Sequence, residues 1–341
     1  MFKSLKNSIS VLALVAVTTA VPASAEVLIN GAGATFPYPI YSKWFSEYAK
    51  IEQSVKFNYQ SIGSGGGIKQ ITAQTVDFGA SDKYLTDDEL KAAPGKLIHI
   101  PMVMGAVVIT YNVPGVAKGL KITPEALIGI YQGKITMWND AKLAGDNAGV
   151  KLPAKPIVVV HRSDGSGTTS IFTDYLSSVS QEWARKVGKG TSVNWPVGLG
   201  GKGNEGVSGQ IKTTPYSIGY VELAYAIENK LSFALLKNKS GKFVEPSIHS
   251  TTAAAAAAAK HMPSDYRVSL VNQSGKDAYP IVGFTWLLVY EHQKDAVKGK
   301  KLVEFLNWSM HKGQKMAAPM LYAPLPENVQ RMVETTIRTI K

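Results

Sequence analysis

Three glycine-rich segments of this chain each follow a short apolar run and precede a helical pattern. They are GAGATFP from Gly31, SIGSGGGIKQ from Ser61 and HRSDGSGTTS from His161. Glycine permits tight turns, and the first backbone amides of the helix that follows have no partner inside that helix. Each segment also carries Ser or Thr hydroxyls. The pattern predicts strand-to-helix turns that offer amides and hydroxyls to an oxyanion.

The same alternation of apolar runs and amphipathic stretches continues along the chain. It predicts an α/β fold. Glycine-rich residues 198–209 indicate a loop, and the polyalanine stretch 252–260 indicates a helix capped by Ser250 or Thr251. The expected strands include 55–59, 97–100, 107–111, 157–160 and 286–290, and the expected helices include 40–50, 124–132, 168–176 and 302–311.

The first 25 residues have the composition of a secretory signal peptide. Lys3 and Lys6 precede the apolar run 9–20, and Ala23-Ser24-Ala25 supplies the small residues of a cleavage site. The run is too short for a membrane anchor, and no later stretch is apolar over the ~18 residues that a membrane span requires. We expect a soluble mature chain that begins at Glu26 and lies in the periplasm.

The residue types that are missing narrow the chemistry. The chain has 341 residues and no cysteine, which excludes disulfides, thiolate metal sites and the lipid-bearing cysteine of a lipoprotein. Its six histidines are scattered, and neither a G-K-[ST] phosphate-loop ending nor a G-x-S-x-G elbow occurs. The sequence therefore predicts no metal site, no cofactor and no nucleotide hydrolysis.

The formal charge of +12 includes Lys3 and Lys6 of the predicted signal peptide. A basic balance is compatible with a polyanion partner, but the lysines are scattered and form no polybasic block. A solvated basic surface is the simpler interpretation, so we expect no nucleic-acid partner.

Two acidic residues near the glycine-rich turns suggest how an oxyanion would be recognised. Asp164 lies two residues from Arg162 and can hold the guanidinium in one orientation. Asp82 follows the apolar segment 76–80, and its carboxylate can only accept hydrogen bonds, so it would favour an oxyanion that carries protons. Considered singly, each feature is also explained as a helix cap, a tight turn or a surface acid.

Six motifs in order, GAGATFP, YQSIGSGGGIKQI, TVDFGASD, RSDGSGTT, NWPVGLGGKGNEGV and SIGYVELAYA, resemble the periplasmic phosphate-binding proteins of high-affinity phosphate ABC transporters. The resemblance extends from about residue 31 to residue 326. His161 stands where we would expect another basic residue, and it is not one of the family's ligands. The phosphate ligands that the resemblance implies, with Asp164 as the partner of the arginine, are Thr35, Phe36, Ser64, Asp82, Arg162, Ser166, Gly167 and Thr168.

The resemblance also implies a type II-like periplasmic binding protein fold, with two α/β lobes joined by crossing hinge strands near 102–108 and 279–283. Lobe one would comprise 26–104 plus 281–341, and lobe two 105–280. Inorganic phosphate would lie in the cleft between them and favour closure. The implied protein is a monomeric binding protein without enzymatic activity, and its partners are the permease subunits of a phosphate ABC transporter.

Two other functions remain open at this point. A secreted phosphatase or phosphotransferase acting on phosphate esters would need a nucleophile with its base, or a metal cluster. A polyanion-binding or surface adhesion protein has only the basic charge in its favour.

Overall fold

The computed structural model describes residues 26–260 and 262–341, so the predicted signal peptide, 1–25, lies outside the described residues. The strands are β1 (Val27–Gly33), β2 (Val55–Ser61), β3 (Phe78–Ser81), β4 (Leu97–Asn112), β5 (Lys121–Ile122), β6 (Val158–Arg162), β7 (Leu199–Gly201), β8 (Ser217–Glu222), β9 (Ser232–Phe233), β10 (Leu235–Lys237), β11 (Phe243–Val244) and β12 (Val282–Tyr290).

Helices alternate with these strands, as the α/β prediction requires. They are α1 (Tyr38–Ala49), α2 (Ser64–Thr72), α3 (Asp87–Lys91), α4 (Pro124–Tyr131), α5 (Ala141–Asp146), α6 (Gly167–Val179), α7 (Gln181–Lys186), α8 (Gly203–Thr213), α9 (Leu223–Glu228), α10 (Ile248–Ala259), α11 (Ala296–Trp308), α12 (Gln314–Ala317) and α13 (Glu327–Ile337). A π-helical turn, Ser309–Gly313, joins α11 to α12, and a 3-10 turn, Ala318–Met320, follows α12.

One mixed sheet extends through the molecule in the order β2-β1-β3-β12-β4-β8-β6-β7, with β9 beside β4. β1 pairs in parallel with β2 and β3, and β6 pairs in parallel with β7 and β8. Between these two parallel sections, β12 and β4 pair antiparallel with each other and with their outer neighbours. Parallel neighbours need crossover connections, which the helices supply. A small sheet, β11-β10-β5, lies apart from the main one.

The long strand β4 connects the two parallel sections. It pairs with β12 as far as Ala106 and with β8 from Val107 onward. The expectation of two separate strands, 97–100 and 107–111, was wrong, because Pro101 lies inside one continuous strand. The register of β12 shifts between Thr285 and Trp286, opposite this proline. Such an irregularity is where a strand accepts a residue that has no backbone N–H.

The glycine-rich stretch 198–209 is also different from the expected loop. It forms β7 and the first part of α8, and the side chains of Val207 and Ile211 in this helix are completely buried. Burial of this apolar face outweighs the low helix propensity of glycine. The helical form places Asn204, in the first turn of α8, against Thr35 and Thr168.

The polyalanine helix starts earlier than expected. α10 begins at Ile248, and its cap is Ser247 instead of Ser250 or Thr251. The Ser247 Oγ accepts from the Ser250 amide at 3.1 Å, and the Ser250 Oγ accepts from the Ser247 amide at 2.9 Å. Ser250 therefore completes a reciprocal capping box three residues inside the helix.

Aromatic packing holds the first parallel section together. The Phe57 ring on β2 lies 4.7 Å from Phe45 of α1 and 4.5 Å from Phe305 of α11, centroid to centroid. Ring contacts of this kind bury large apolar surfaces where the two helices pack on the edge of the sheet. Within 26–260 and 262–341, no helix has the length and apolar character to cross a membrane.

Candidate functional site

The glycine-rich turns that precede α2 and α6 meet at the carboxyl ends of the parallel strands. The Gly65 amide of α2 donates to the Gly165 carbonyl, just before α6, at 2.8 Å. A Cβ atom on Gly167 would lie 2.3 Å from the Ser64 Oγ and 2.5 Å from the Asp82 Oδ2. The starts of α2 and α6 therefore face each other at a distance that requires glycine at position 167. Helix N-termini in this arrangement favour a bound anion.

Arg162 ends β6 and is held rigidly by its neighbours. Its side chain is 1% exposed. Nε and Nη2 donate to the two carboxylate oxygens of Asp164 at 2.7 and 2.5 Å, and Nη1 donates to the Thr168 Oγ1 at 3.3 Å. This is the bidentate orientation that the sequence predicted for the pair.

Asp164 is fixed in turn by hydrogen bonds from the arginine and from the start of α8. Its Oδ1 also accepts from the Gly203 amide at the start of α8, at 3.0 Å. Burial acts to raise the pKa of Asp164, but the hydrogen bonds and charge of Arg162 outweigh it and hold this pKa below its ordinary value. Asp164 is thus an ionised anchor for the guanidinium.

Asp82, directly after β3, has the opposite environment. It is 3% exposed, and its Oδ1 has no hydrogen-bond partner among the described residues. The Asp82 amide donates to the Ser64 Oγ at 3.1 Å, and that hydroxyl lies 3.5 Å from Oδ2. Burial raises the pKa of Asp82 to about 7, against the opposing effects of the Thr285 hydroxyl, the Arg162 charge and the Ser64 hydroxyl.

Thr35 and Phe36 lie in the turn between β1 and α1, and both are buried. The Thr35 carbonyl accepts from the Tyr225 hydroxyl at 2.6 Å, and the Phe36 carbonyl accepts from the Tyr322 hydroxyl at 2.7 Å. These two tyrosines fix the backbone of the turn. The Thr35 hydroxyl accepts from the Asn204 Nδ2 of α8 at 2.8 Å.

Ser166 and Thr168 are both at the start of α6 and completely buried. Ser166 is the N-cap, and its Oγ accepts from the Thr169 amide at 3.0 Å. Ser166 therefore caps α6. Thr168 lies inside the first turn, where its hydroxyl accepts from Arg162 and Asn204.

The structure thus brings the predicted site residues into one buried cluster. Ser64 and Asp82 face Gly167, Arg162 contacts Thr168, and Thr35 with Phe36 closes one side. His161 stays outside, because its ring stacks on Trp195 at a centroid distance of 4.9 Å. Among the described residues, no group of three or more His, Cys, Asp or Glu side chains is placed to hold a metal ion.

Asn204 is the site residue that the sequence analysis missed. It is completely buried, and its amide contacts both Thr35 and Thr168. Asn204 belongs to the motif NWPVGLGGKGNEGV, which carries part of the family resemblance. Because residues 198–209 were expected to form a loop, the sequence offered no reason to choose one amide side chain among them. The signal that could have found Asn204 is the helical spacing of Val207 and Ile211, which places Asn204 in the first turn of a helix.

Chemically, the cluster offers many donors, one fixed cation and one acceptor. Backbone amides and hydroxyls suit a small oxyanion, and Arg162 matches its charge. Asp82 is the exception, since a carboxylate repels an oxyanion that has only lone pairs to offer.

Comparison with known proteins agrees with this geometry. The profile of the PBP superfamily domain matches residues 20–312. The phosphate-binding protein PstS of Xylella fastidiosa is 47% identical over 318 residues, which cover 92% of this chain and 86% of the relative. The chain belongs to the phosphate-binding protein family. PstS of Pasteurella multocida is 46% identical over 91% of this chain and 90% of its own length.

Solved structures of this family have the same fold. A high-affinity periplasmic phosphate-binding protein, PfluDING, bound with phosphate, has a TM-score of 0.70 at 23% identity, over 90% of this chain and 93% of its own. The phosphate-binding protein of Stenotrophomonas maltophilia has a TM-score of 0.69 at 21% identity, over 91% and 93%. The predicted two-lobed α/β fold of periplasmic binding proteins is confirmed.

Proposed function

We propose that this protein captures inorganic phosphate and delivers it to the membrane permease of an ABC importer. The observation that carries the proposal is the contrast between Arg162, whose guanidinium is fixed by Asp164, and Asp82, whose buried Oδ1 has no partner among the described residues. A protonated phosphate can accept from the first and donate to the second. The relatives named phosphate-binding protein PstS support the same ligand.

The proposed ligand groups come from four strand ends. The amides and hydroxyls at the starts of α1, α2 and α6 donate to phosphate, Arg162 supplies charge, and Asp82 accepts. Asp164 acts only by orienting Arg162. The complete proposed set is Thr35, Phe36, Ser64, Asp82, Arg162, Ser166, Gly167 and Thr168.

We infer lobes of 26–104 plus 281–341 and of 105–280, with hinges in β4 and at the start of β12. The change of partner in β4, from β12 to β8 after Ala106, supports a hinge there. Contacts such as that of the Gly65 amide with the Gly165 carbonyl form only when the lobes are close, so phosphate and closure stabilise each other.

The place of action follows from the predicted leader. A cleaved signal peptide would release a monomer into the periplasm, where the permease subunits would recognise the closed, phosphate-loaded form. A phosphatase has no support from the relatives, which are named binding proteins.

Calorimetry on phosphate-stripped protein tests the proposal. We expect heat of binding with phosphate and none with sulfate, which has no hydrogen to donate to Asp82. We expect none with a phosphate monoester either, because its ester group would have to enter a cluster whose side chains are buried. Release of phosphate from the monoester would instead establish a phosphatase. Binding to heparin or DNA with a steep salt dependence would establish the polyanion-binding alternative.

A further inference from the structure

Asn204 bridges two hydroxyl groups that come from opposite sides of the site. It lies in the first turn of α8 and is completely buried. Its Nδ2 donates to the Thr35 Oγ1 at 2.8 Å and to the Thr168 Oγ1 at 3.2 Å. An amide nitrogen has two hydrogens, so both are used by these threonines.

The orientation of this amide is set by its other end. The Glu222 backbone amide donates to the Asn204 Oδ1 at 3.0 Å. A backbone N–H can only donate, so it requires the oxygen of the side chain to face it. The Nδ2 group is therefore directed at the two threonine hydroxyls.

Both threonine oxygens receive a second donor. The Thr35 Oγ1 also accepts from the Asn204 backbone amide at 3.2 Å, and the Thr168 Oγ1 also accepts from the Arg162 Nη1 at 3.3 Å. A hydroxyl oxygen has two lone pairs and one hydrogen. With both lone pairs engaged, each hydroxyl can serve a ligand only by donating its hydrogen.

We propose that Asn204 is a positioning residue that fixes the hydroxyls of Thr35 and Thr168 as donors to the bound oxyanion. The inference rests on the proposed phosphate site. It adds that the protein orients these two hydroxyls before the ligand binds. Without Asn204, each hydroxyl could rotate and accept, so part of the pre-organisation would be lost on binding. The two threonine hydroxyls then act only as donors to the ligand, and Asp82 acts as its acceptor.

The first test is the phosphate affinity of Asn204→Ala, measured by calorimetry. We expect the Kd to rise about 10- to 100-fold, as for the loss of hydrogen bonds that act on a charged ligand. Asn147→Ala is the matched control, because Asn147 is also buried and its Nδ2 bonds the Lys121 and Leu143 carbonyls, both at 2.8 Å, away from the site. The control should lower the melting temperature and leave the Kd unchanged. An unchanged Kd in Asn204→Ala would overturn the inference.

A double-mutant cycle separates positioning from direct contact. In a Thr35→Val, Thr168→Val background the hydroxyls are absent, so Asn204→Ala should change the Kd by less than about threefold. The same loss in both backgrounds would overturn the inference, because Asn204 would then act on the ligand or on closure by itself.

Asn204→Asp keeps the size of the side chain and guards against a simple loss of folding. Its carboxylate would accept from the threonines and turn their hydrogens away from the ligand. We expect the ratio of mutant to wild-type Kd to be largest near about pH 8 and to shrink toward about pH 5, where the new carboxyl begins to bind protons. A ratio independent of pH would contradict the mechanism. Failure of the wild type to bind phosphate would overturn the proposed function itself, whereas wild-type affinity in the Asn204 variants would overturn only this inference.

Discussion

Arg162 and Asp82 are both about 3% exposed, yet the surrounding residues hydrogen-bond the first much more fully than the second. Arg162 has partners for Nε, Nη1 and Nη2. Asp82 leaves Oδ1 without one among the described residues, and burial raises its pKa to about 7. The protein therefore fixes the guanidinium with three of its five N–H donors and leaves two for the ligand, whereas the Asp82 Oδ1 has only the ligand to bond.

This difference shows where selectivity resides. The Arg162–Asp164 pair is close to neutral as a unit, so raw charge contributes little to the choice between oxyanions. Hydrogen-bond direction contributes more, because a ligand must accept from the turns and donate to Asp82. Phosphate near neutral pH can do both.

Removal of Arg162 should have the largest effect. Arg162→Ala leaves Asp164 buried without its partner and removes the one full positive charge among the proposed ligands. We expect phosphate binding to weaken by about 2 to 5 kcal/mol, as for the loss of one member of a buried charged pair. Calorimetric titration of phosphate-stripped protein gives the value.

Arg267→Ala is the control for that experiment. Arg267 forms ion pairs with Asp87 at 2.7 Å and Asp265 at 2.8 Å, outside the site. Its loss should leave phosphate affinity unchanged. If the two variants bind phosphate equally well, Arg162 is not a ligand.

The raised pKa of Asp82 predicts a pH-dependent closure of the phosphate-free protein. In the proposed open form the Asp82 carboxyl would regain water and its ordinary pKa of 3.8, whereas burial in the cluster raises that pKa to about 7. Between these values the closed form binds more protons than the open form, so rising pH favours opening, by about 4 kcal/mol over the window. Above about pH 7 the effect is complete.

Small-angle X-ray scattering can follow this closure. The radius of gyration of phosphate-free wild type should increase from about pH 5 to about pH 7. Asp82→Asn lacks the titrating group and should show no such change. An equal expansion in both proteins would mean that another group drives opening.

Thr168→Ala should have a smaller effect than either Arg162→Ala or the titration of Asp82. The substitution removes one hydroxyl but leaves the amides at the start of α6 in place, so we expect a loss of about 1 kcal/mol in phosphate binding. Thr168→Ser retains the hydroxyl and should bind nearly as the wild type does. A loss as large as that of Arg162→Ala would show that the hydroxyl orients the guanidinium as well as the ligand.

The sequence predicted those parts of the site that are formed by residues close together in the chain. Arg162 and Asp164 are two residues apart, so their pairing follows from the chain itself. The glycine-rich turns before α1, α2 and α6 were visible because glycine and hydroxyl residues cluster at strand ends. The family resemblance then joined these turns into one ligand set.

Features set by distant packing could not be predicted in this way. Asn204 acquires its role from Thr35, which is 169 residues away. The continuity of β4 depends on the shifted register of β12 opposite Pro101, and the helix α8 depends on burial of Val207 and Ile211. In each case a tertiary contact overrides a local signal from proline or glycine.

Sulfate provides the sharpest test of Asp82. It is tetrahedral and close to phosphate in size, but at neutral pH it has no hydrogen to donate. Against an ionised Asp82 it leaves a buried acceptor unpaired and adds repulsion, and a site of this kind can discriminate by ~10⁴ or more. In Asp82→Asn the amide can turn its Nδ2 toward the ligand and donate.

The decisive measurement is therefore a calorimetric titration of wild type and Asp82→Asn with sulfate and with phosphate, at about pH 8, where Asp82 is mostly ionised. We predict that the wild type binds phosphate but not sulfate, and that Asp82→Asn binds sulfate measurably. If the variant gains no sulfate binding, selectivity does not come from Asp82 and must come from the geometry of the converging helix N-termini.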